Sequence, residues 1–89
     1  MIDFTQKDFY IEPHPIINNS ILYFDNPTKL TAIITIYDLN GKMIYEVQNQ
    51  NNYFQLSSNQ FGTGLYVFTI TLENEKIISG KFINNLSGY

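Results

Sequence analysis

The chain has 89 residues, of which 44% are hydrophobic and 16% aromatic, and its formal net charge is −3. This length fits one small domain, and the apolar content is too high for a disordered segment. Since only five residues are basic and eight are acidic, the composition argues against the cationic surface that a nucleic-acid partner would need.

The N-terminal segment, residues 1–10, lacks the features of an export signal. Asp3, Lys7 and Asp8 interrupt its apolar residues, so there is no cationic start followed by an apolar stretch. No apolar run approaches the roughly 20 residues that span a bilayer, which argues against membrane insertion. We interpret Met1 as a start codon added to a fragment of a longer protein.

Alternation of apolar and polar residues predicts about seven β-strands along the chain. Two long runs are clearest. In one, residues 30–38, Ala32, Ile34 and Ile36 share a face. In the other, residues 65–73, the inward face is Tyr66, Phe68, Ile70 and Leu72. The predicted strands are residues 9–11, 21–24, 30–38, 42–48, 53–56, 65–73 and 76–83.

Short polar connections separate these strands. Asp38, Leu39, Asn40 and Gly41 predict a tight hairpin in which Asn40 and Gly41 supply positive φ. Residues 49–52 and 73–76 are too short for a helical crossover, and no segment has the period of a helix longer than one turn. These features predict an all-β fold, a small antiparallel β-sandwich.

Catalytic groups are scarce, and we expect no enzyme. The chain has one histidine and no cysteine, so no nucleophile, base and orienting group can be assembled. His14, between Pro13 and Pro15, is expected to be an ordinary exposed residue of a rigid loop. Glu73 and Glu75 suit a solvated turn better than a calcium site, and Gly62 and Gly64 suit a bend better than a phosphate loop. We predict no catalytic residue, cofactor or metal.

Four segments, taken in order, carry a resemblance to a known family. They are Pro13-His14-Pro15 before the strand ILYF, AIITIYDLNGK ending at Lys42, GLYVFTI beginning at Gly64, and Lys81-Phe82-Ile83. Together they resemble the type A C-terminal sorting domain, the Por secretion tail family, of type IX secretion cargo.

This resemblance implies a seven-stranded antiparallel Ig-like β-sandwich at the C-terminus of a larger exported protein of a Gram-negative bacterium. It implies a non-enzymatic sorting signal that outer-membrane type IX machinery recognises and a sortase removes. The cargo would precede it in the same chain and would pass the periplasm to the cell surface or the extracellular space.

The resemblance also suggests domain boundaries. Residues 1–12 are a linker or first-strand region, residues 13–84 are the sorting domain, and residues 85–89 are a tail, interpreted as a cloning remnant. The opening departs from the usual Pro-Asn-Pro of the family because His14 takes the central position.

Nine residues are candidates for motif or recognition roles. We favour Lys42 and Lys81 for recognition, because their charges contribute nothing to a core and can meet an acidic partner surface. Gly64 is expected to allow close backbone approach before Tyr66 enters the core. The nine candidates are Pro13, Pro15, Asp38, Gly41, Lys42, Gly64, Tyr66, Lys81 and Phe82.

Two other functions remain open from the sequence. An adhesive or carbohydrate-binding module would use exposed tyrosines, for which Tyr10, Tyr23, Tyr37 and Tyr53 are candidates. A subunit that polymerises would use the edge strands of the sandwich.

Overall fold

The computed structural model describes residues 8–85, and these form a β-sandwich of seven strands. The strands are β1 (Phe9–Glu12), β2 (Asn19–Phe24), β3 (Ala32–Tyr37), β4 (Met43–Asn49), β5 (Tyr53–Ser57), β6 (Gly64–Leu72) and β7 (Ile77–Asn84). One 3-10 turn, Ser58–Gln60, is the helical element of this part of the chain. No helix among the described residues is long and apolar enough to cross a membrane. The predictions that concern Met1 to Lys7 and the tail from Leu86 lie outside the described residues.

Two antiparallel sheets make up the sandwich. One has three strands in the order β1-β2-β5, and the other has four in the order β4-β3-β6-β7. Every neighbouring pair runs antiparallel, as the short connections predict, and each predicted strand lies within two residues of the observed bounds. The all-β prediction is therefore confirmed.

The core lies between the sheets and includes the four residues that alternation assigned to the inner face of β6. Ala32, Ile34 and Ile36 on β3 are buried, as are Tyr66, Phe68, Ile70 and Leu72 on β6. Burying one large apolar side chain contributes about 1.5–3 kcal/mol, so these two central strands contribute substantially to the stability of the sandwich. The rings of Phe24 and Phe54 stack across the three-stranded sheet with centroids 5.3 Å apart.

The first strand belongs to the sandwich, although the predicted domain boundary lies after it at Pro13. Residues Phe9 to Glu12 pair with β2 at four positions. Phe9 also packs edge-on against Phe68, with ring centroids 5.0 Å apart. It lies over Gly80, where an added Cβ would come within 2.5 Å of the Phe9 ring. Gly80 thus lets β1 approach β7 closely.

A buried asparagine that the sequence analysis did not identify ties two loops together. The side-chain amide of Asn26 donates to the carbonyls of Leu30, at 2.8 Å, and Asn51, at 2.9 Å. Its oxygen accepts the Leu30 N–H at 3.0 Å. Asn26 therefore holds the β2–β3 loop against the β4–β5 loop at one end of the sandwich.

Candidate recognition surface

The described residues contain no group of three or more His, Asp or Glu side chains that could hold a metal ion. The carboxylate of Glu73, in the turn between β6 and β7, accepts the Thr31 N–H at 3.2 Å. Gly62, in the glycine pair, accepts the Tyr66 hydroxyl at 2.8 Å through its carbonyl. Both groups therefore have structural partners within the fold.

The turn between β3 and β4 positions Lys42, and its geometry differs from the prediction. Of the two residues expected at positive φ, only Gly41 has it, at 85°. The Gly41 N–H donates to the Asp38 carbonyl at 3.0 Å, and the Asp38 carboxylate accepts the N–H groups of Asn40 and Lys42 at 2.8 and 3.0 Å. The prediction for Asn40 was wrong. A hairpin loop of this length is built from a type I turn followed by one residue in the left-handed region, and that residue is Gly41.

Lys81 lies on the outer face of the four-stranded sheet, at the end of a row that crosses all four strands. Tyr37 on β3 is the Cα partner of Met43 on β4 and of Val67 on β6. Val67 in turn is the partner of Lys81 on β7. Lys42 directly precedes Met43 in the chain, so the two lysines that the sequence singled out lie at opposite edges of one sheet.

Exposed apolar side chains lie in this row and in the row next to it. Met43 is 54% exposed and Ile83 45% exposed, and Ile83 is the partner of Leu65 in the adjacent row. Sheet faces of small domains rarely expose so many large apolar side chains together without a use in binding. We call this surface the lysine face; its residues are Tyr37, Lys42, Met43, Leu65, Val67, Lys81 and Ile83.

The charges of the lysine face are not neutralised within the described part of the chain. Among residues 8–85, neither Lys42 nor Lys81 has a carboxylate within ion-pair distance, whereas Lys76 pairs with Asp25 at 3.7 Å near the opposite end of the sandwich. That exposed pair adds little stability, about 0–1 kcal/mol. The lysine face thus combines an apolar centre with two available positive charges in a chain whose net charge is −3.

The segment from Pro13 to Ile16 covers the free edge of β7. The Ile83 N–H donates to Nε2 of His14 at 3.0 Å, and the Ile83 carbonyl accepts the Ile16 N–H at 2.9 Å. Both proline peptide bonds, at Pro13 and Pro15, are cis. His14 is exposed, as predicted, but it is not an ordinary surface residue, because it satisfies a backbone donor of the last strand.

Three other candidates prove to be structural in this fold. Tyr66 and Phe82 are Cα partners on β6 and β7 and are buried, with ring centroids 5.6 Å apart, so a partner cannot reach them in the folded domain. Gly64 does not allow a close backbone approach, because no atom lies within 4 Å of the position where its Cβ would be. Its φ of 153° instead favours glycine over residues with a side chain.

Asn84, at the end of β7, is a buried residue that the sequence analysis missed. Its side-chain amide donates to the carbonyls of Ser58, Phe61 and Gly62 at 2.9, 3.3 and 3.1 Å. These three carbonyls belong to the connection between β5 and β6. Asn84 therefore anchors the last strand to the loop that leads into Gly64, and only the polarity of a residue at an inward position could have indicated it.

Comparisons with known proteins agree with this architecture. The sequence matches the family model of the secretion system C-terminal sorting domain over residues 10–85. A comparison with curated proteins found no match. One similar solved structure is a DUF3244 family protein with an immunoglobulin-like β-sandwich fold from Bacteroides vulgatus, with a TM-score of 0.70 and 20% identity, covering 89% of this chain and 85% of that chain. At this identity the likeness establishes the fold alone, and it confirms the Ig-like sandwich.

Proposed function

The chain belongs to the family of type IX secretion system C-terminal sorting domains, and from this membership we propose that the folded domain directs a larger cargo protein across the outer membrane. The observation that carries the proposal is the extent of the family match, which covers residues 10–85 and thus nearly the whole sandwich. The domain acts as a non-enzymatic signal. The cargo lies in the same chain, and its route leads through the periplasm to the cell surface or the extracellular space.

The signal, in this proposal, is read from a surface and not from a pocket. The lysine face supports this idea because it offers an apolar centre for burial and two positive charges, Lys42 and Lys81, for electrostatic complementarity. The partner is a component of the outer-membrane machinery with an apolar patch and carboxylates at its rim. Charges at such a rim mainly set the partner preference and the association rate.

The remaining candidates have supporting roles in this proposal. Asp38 and Gly41 fix the turn that presents Lys42, since the carboxylate accepts the Lys42 N–H at 3.0 Å. Pro13 and Pro15 flank His14 and hold it against the edge of β7, the strand that carries Lys81. These residues therefore act through the positions of the two lysines.

The experiment that tests the proposal is secretion of a fluorescent reporter that carries an N-terminal export signal. Residues 8–85 are fused to its C-terminus or omitted, in a host with or without a working type IX system. We expect reporter in the medium or on the surface only when both the domain and the system are present. Retention in the periplasm in every combination would contradict the proposal.

Sortase-mediated removal is a finer part of the proposal. A sortase would release the domain after transport. The mass of the secreted reporter should therefore be lower than that of the periplasmic form by the mass of the fused domain. Intact-mass spectrometry of both fractions measures this difference. Equal masses in the two fractions would show that the signal is retained and would leave the sorting role intact.

A further inference from the structure

Three tyrosines form a row across the outer face of the three-stranded sheet. Tyr10 on β1 is the Cα partner of Tyr23 on β2, and Tyr23 is the partner of Tyr53 on β5. The rings of Tyr10 and Tyr23 have centroids 6.2 Å apart and planes inclined by 32°. Because neighbouring strands lie about 4.8 Å apart, the row extends over about 10 Å. We call it the tyrosine row.

The tyrosine row is accessible and lies outside the core. Tyr10 is 39% and Tyr53 38% exposed, and Tyr23 between them is half-buried. The residues that alternate with them along the strands face the other sheet, among them the buried Leu22 and Phe54. The packing of the sandwich therefore does not require the three rings, and a function in binding accounts for an exposed aromatic row better than the fold does.

Hydrogen-bonding groups lie beside the tyrosine row. The adjacent outward positions are Glu12, Ile21 and Gln55, which are Cα partners of one another across the sheet. Oε1 of Glu12 accepts the Tyr10 hydroxyl at 2.7 Å, and this hydrogen bond, with smaller effects of burial and charge, raises the pKa of Tyr10. A groove of about 760 Å³, lined in part by Glu12, Tyr53 and Gln55, adjoins the row.

In the part of the chain that the structure describes, no lysine occupies an outward position of this sheet, and Lys81 of the other sheet lies beside Tyr10 at the β1 edge. The outward positions are Tyr10, Glu12, Asn19, Ile21, Tyr23, Tyr53, Gln55 and Ser57. Around Tyr23 and Tyr53, away from that edge, an anionic ligand such as a phosphate or an acidic polymer would find no counter-charge among these positions, and the Glu12 carboxylate would repel it. The ligand that suits this surface is therefore neutral.

From this arrangement we propose that the tyrosine row binds a neutral polysaccharide. Aromatic rings pack against the apolar C–H faces of pyranose rings, and a row of about 10 Å can contact more than one sugar unit. The Gln55 amide and the second carboxylate oxygen of Glu12 can hydrogen-bond to sugar hydroxyls. This binding is a separate function from the proposed sorting role, and the two surfaces approach each other at the edge where Tyr10 and Lys81 line one cavity.

The edge of β5 is a poor site for the main alternative, an added peptide strand. The Tyr53 carbonyl already accepts the side-chain amide of Asn49 at 2.9 Å, and the Ser57 N–H donates to the Gln60 side chain at 2.8 Å. These side chains occupy backbone groups that an incoming strand would need. The outer face beside this edge is the surface that remains open.

The test is native affinity electrophoresis of the 89-residue chain in gels that contain hydroxyethylcellulose, xylan or mannan, with polygalacturonate as an anionic control. We expect retardation in at least one neutral gel and none in polygalacturonate. Tyr23→Thr and Tyr53→Thr keep a residue with high β-propensity and should each weaken binding by about threefold to tenfold. Tyr53→Phe keeps the aromatic ring, so its affinity should lie within about twofold of that of the original chain. Loss of the stacking contact would lower the affinity by more than this.

The matched control is Tyr37→Thr, which removes a tyrosine from the lysine face and should leave retardation unchanged. Thermal unfolding by circular dichroism verifies that each variant is folded. Failure of all three neutral gels to retard the chain would overturn the proposal. The proposal would also be overturned if the chain sediments as a dimer, the Tyr53→Thr variant sediments as a monomer, and no polysaccharide is bound. Normal reporter secretion by Tyr53→Thr keeps this result separate from the sorting role.

Discussion

Asn84 shows how one side chain can connect the last strand to a distant loop. It is fully buried, and its amide donates to three loop carbonyls, those of Ser58, Phe61 and Gly62. Carbonyl oxygens accept hydrogen bonds, so a site with three of them needs a donor such as the amide NH2 and is not satisfied by another acceptor. The amide is therefore the functional part of this side chain.

We predict that Asn84→Asp is far more destabilising than its size implies. A carboxylate at this site would face three carbonyl oxygens without a donor, which should lower the free energy of unfolding by about 3–5 kcal/mol. Asn84→Ala removes the donor together with the buried side-chain oxygen, which has no hydrogen-bond partner among the described residues, and should cost about 1–3 kcal/mol. Urea denaturation measures both. Asn74→Asp in the exposed β6–β7 turn is the matched control and should change stability little.

Similar stabilities for Asn84→Asp and the original chain would contradict the role of the Asn84 amide as a buried donor.

The sequence could predict that residues near Asn84 alternate in burial, because hydrophobic alternation follows the strand period. It could not predict Asn84 or Asn26 as loop anchors, because their partners are backbone carbonyls far away in the chain. Sequence periodicity contains no information about such contacts.

At the scale of elements, two hairpins use the same backbone geometry with different residues. In the β3–β4 turn the left-handed position is Gly41, with φ of 85°, and in the β6–β7 turn it is Glu75, with φ of 73°. The hydrogen bonds correspond: Gly41 N–H to the Asp38 carbonyl and Glu75 N–H to the Leu72 carbonyl. The Asn-Gly signal predicted the first turn, and nothing in the second indicated its conformation.

This equivalence predicts substitutions of opposite effect. Gly41→Ala forces a side chain into the left-handed region and should cost about 1–2 kcal/mol. Glu75→Gly relieves the same strain and should stabilise the domain by up to about 1 kcal/mol after the entropy cost of glycine. Thermal or urea unfolding of the two variants measures the difference. If both variants are less stable than the original chain, the Glu75 side chain stabilises the domain by more than the strain of its left-handed backbone destabilises it.

The edge of β7 gives a second prediction at this scale. Because the Ile83 N–H donates to His14 Nε2, we expect His14→Ala to leave that amide to solvent. Hydrogen exchange of the Ile83 amide should accelerate, with a loss of only about 0.5–1.5 kcal/mol in stability. His14→Gln offers an amide oxygen as acceptor and serves as the control. Unchanged exchange at Ile83 in His14→Ala would show that the imidazole does not protect the edge.

For the whole molecule, the sequence predicted the architecture, but it did not predict how Lys42 and Lys81 are arranged on it. Seven alternating segments with short turns are enough to predict an antiparallel sandwich. The strand order β4-β3-β6-β7 is what places Met43, Tyr37, Val67 and Lys81 in one row. Long-range pairing of this kind depends on which strands meet, and the sequence pattern of a single strand does not specify that.

The two outer faces of the molecule differ in chemistry. The four-stranded sheet carries Lys42 and Lys81 around apolar side chains, whereas the strands of the three-stranded sheet carry the tyrosine row and no lysine. The two faces approach each other at the edge where Tyr10 and Lys81 line one small cavity. Substitution of Tyr53, which lies on the strand farthest from that edge, should therefore leave the function of the lysine face unchanged.

The most direct test of the central claim is the secreted fraction of the reporter fused to the domain with Lys42→Glu and Lys81→Glu together. The matched control is Lys29→Glu with Lys76→Glu, which makes the same change in charge near the opposite end of the sandwich. If the machinery reads the lysine face, the first pair should lower secretion by about tenfold or more, because both rim charges become repulsive, while the control pair secretes normally. Equal secretion by both pairs and the original domain would contradict recognition through the lysine face.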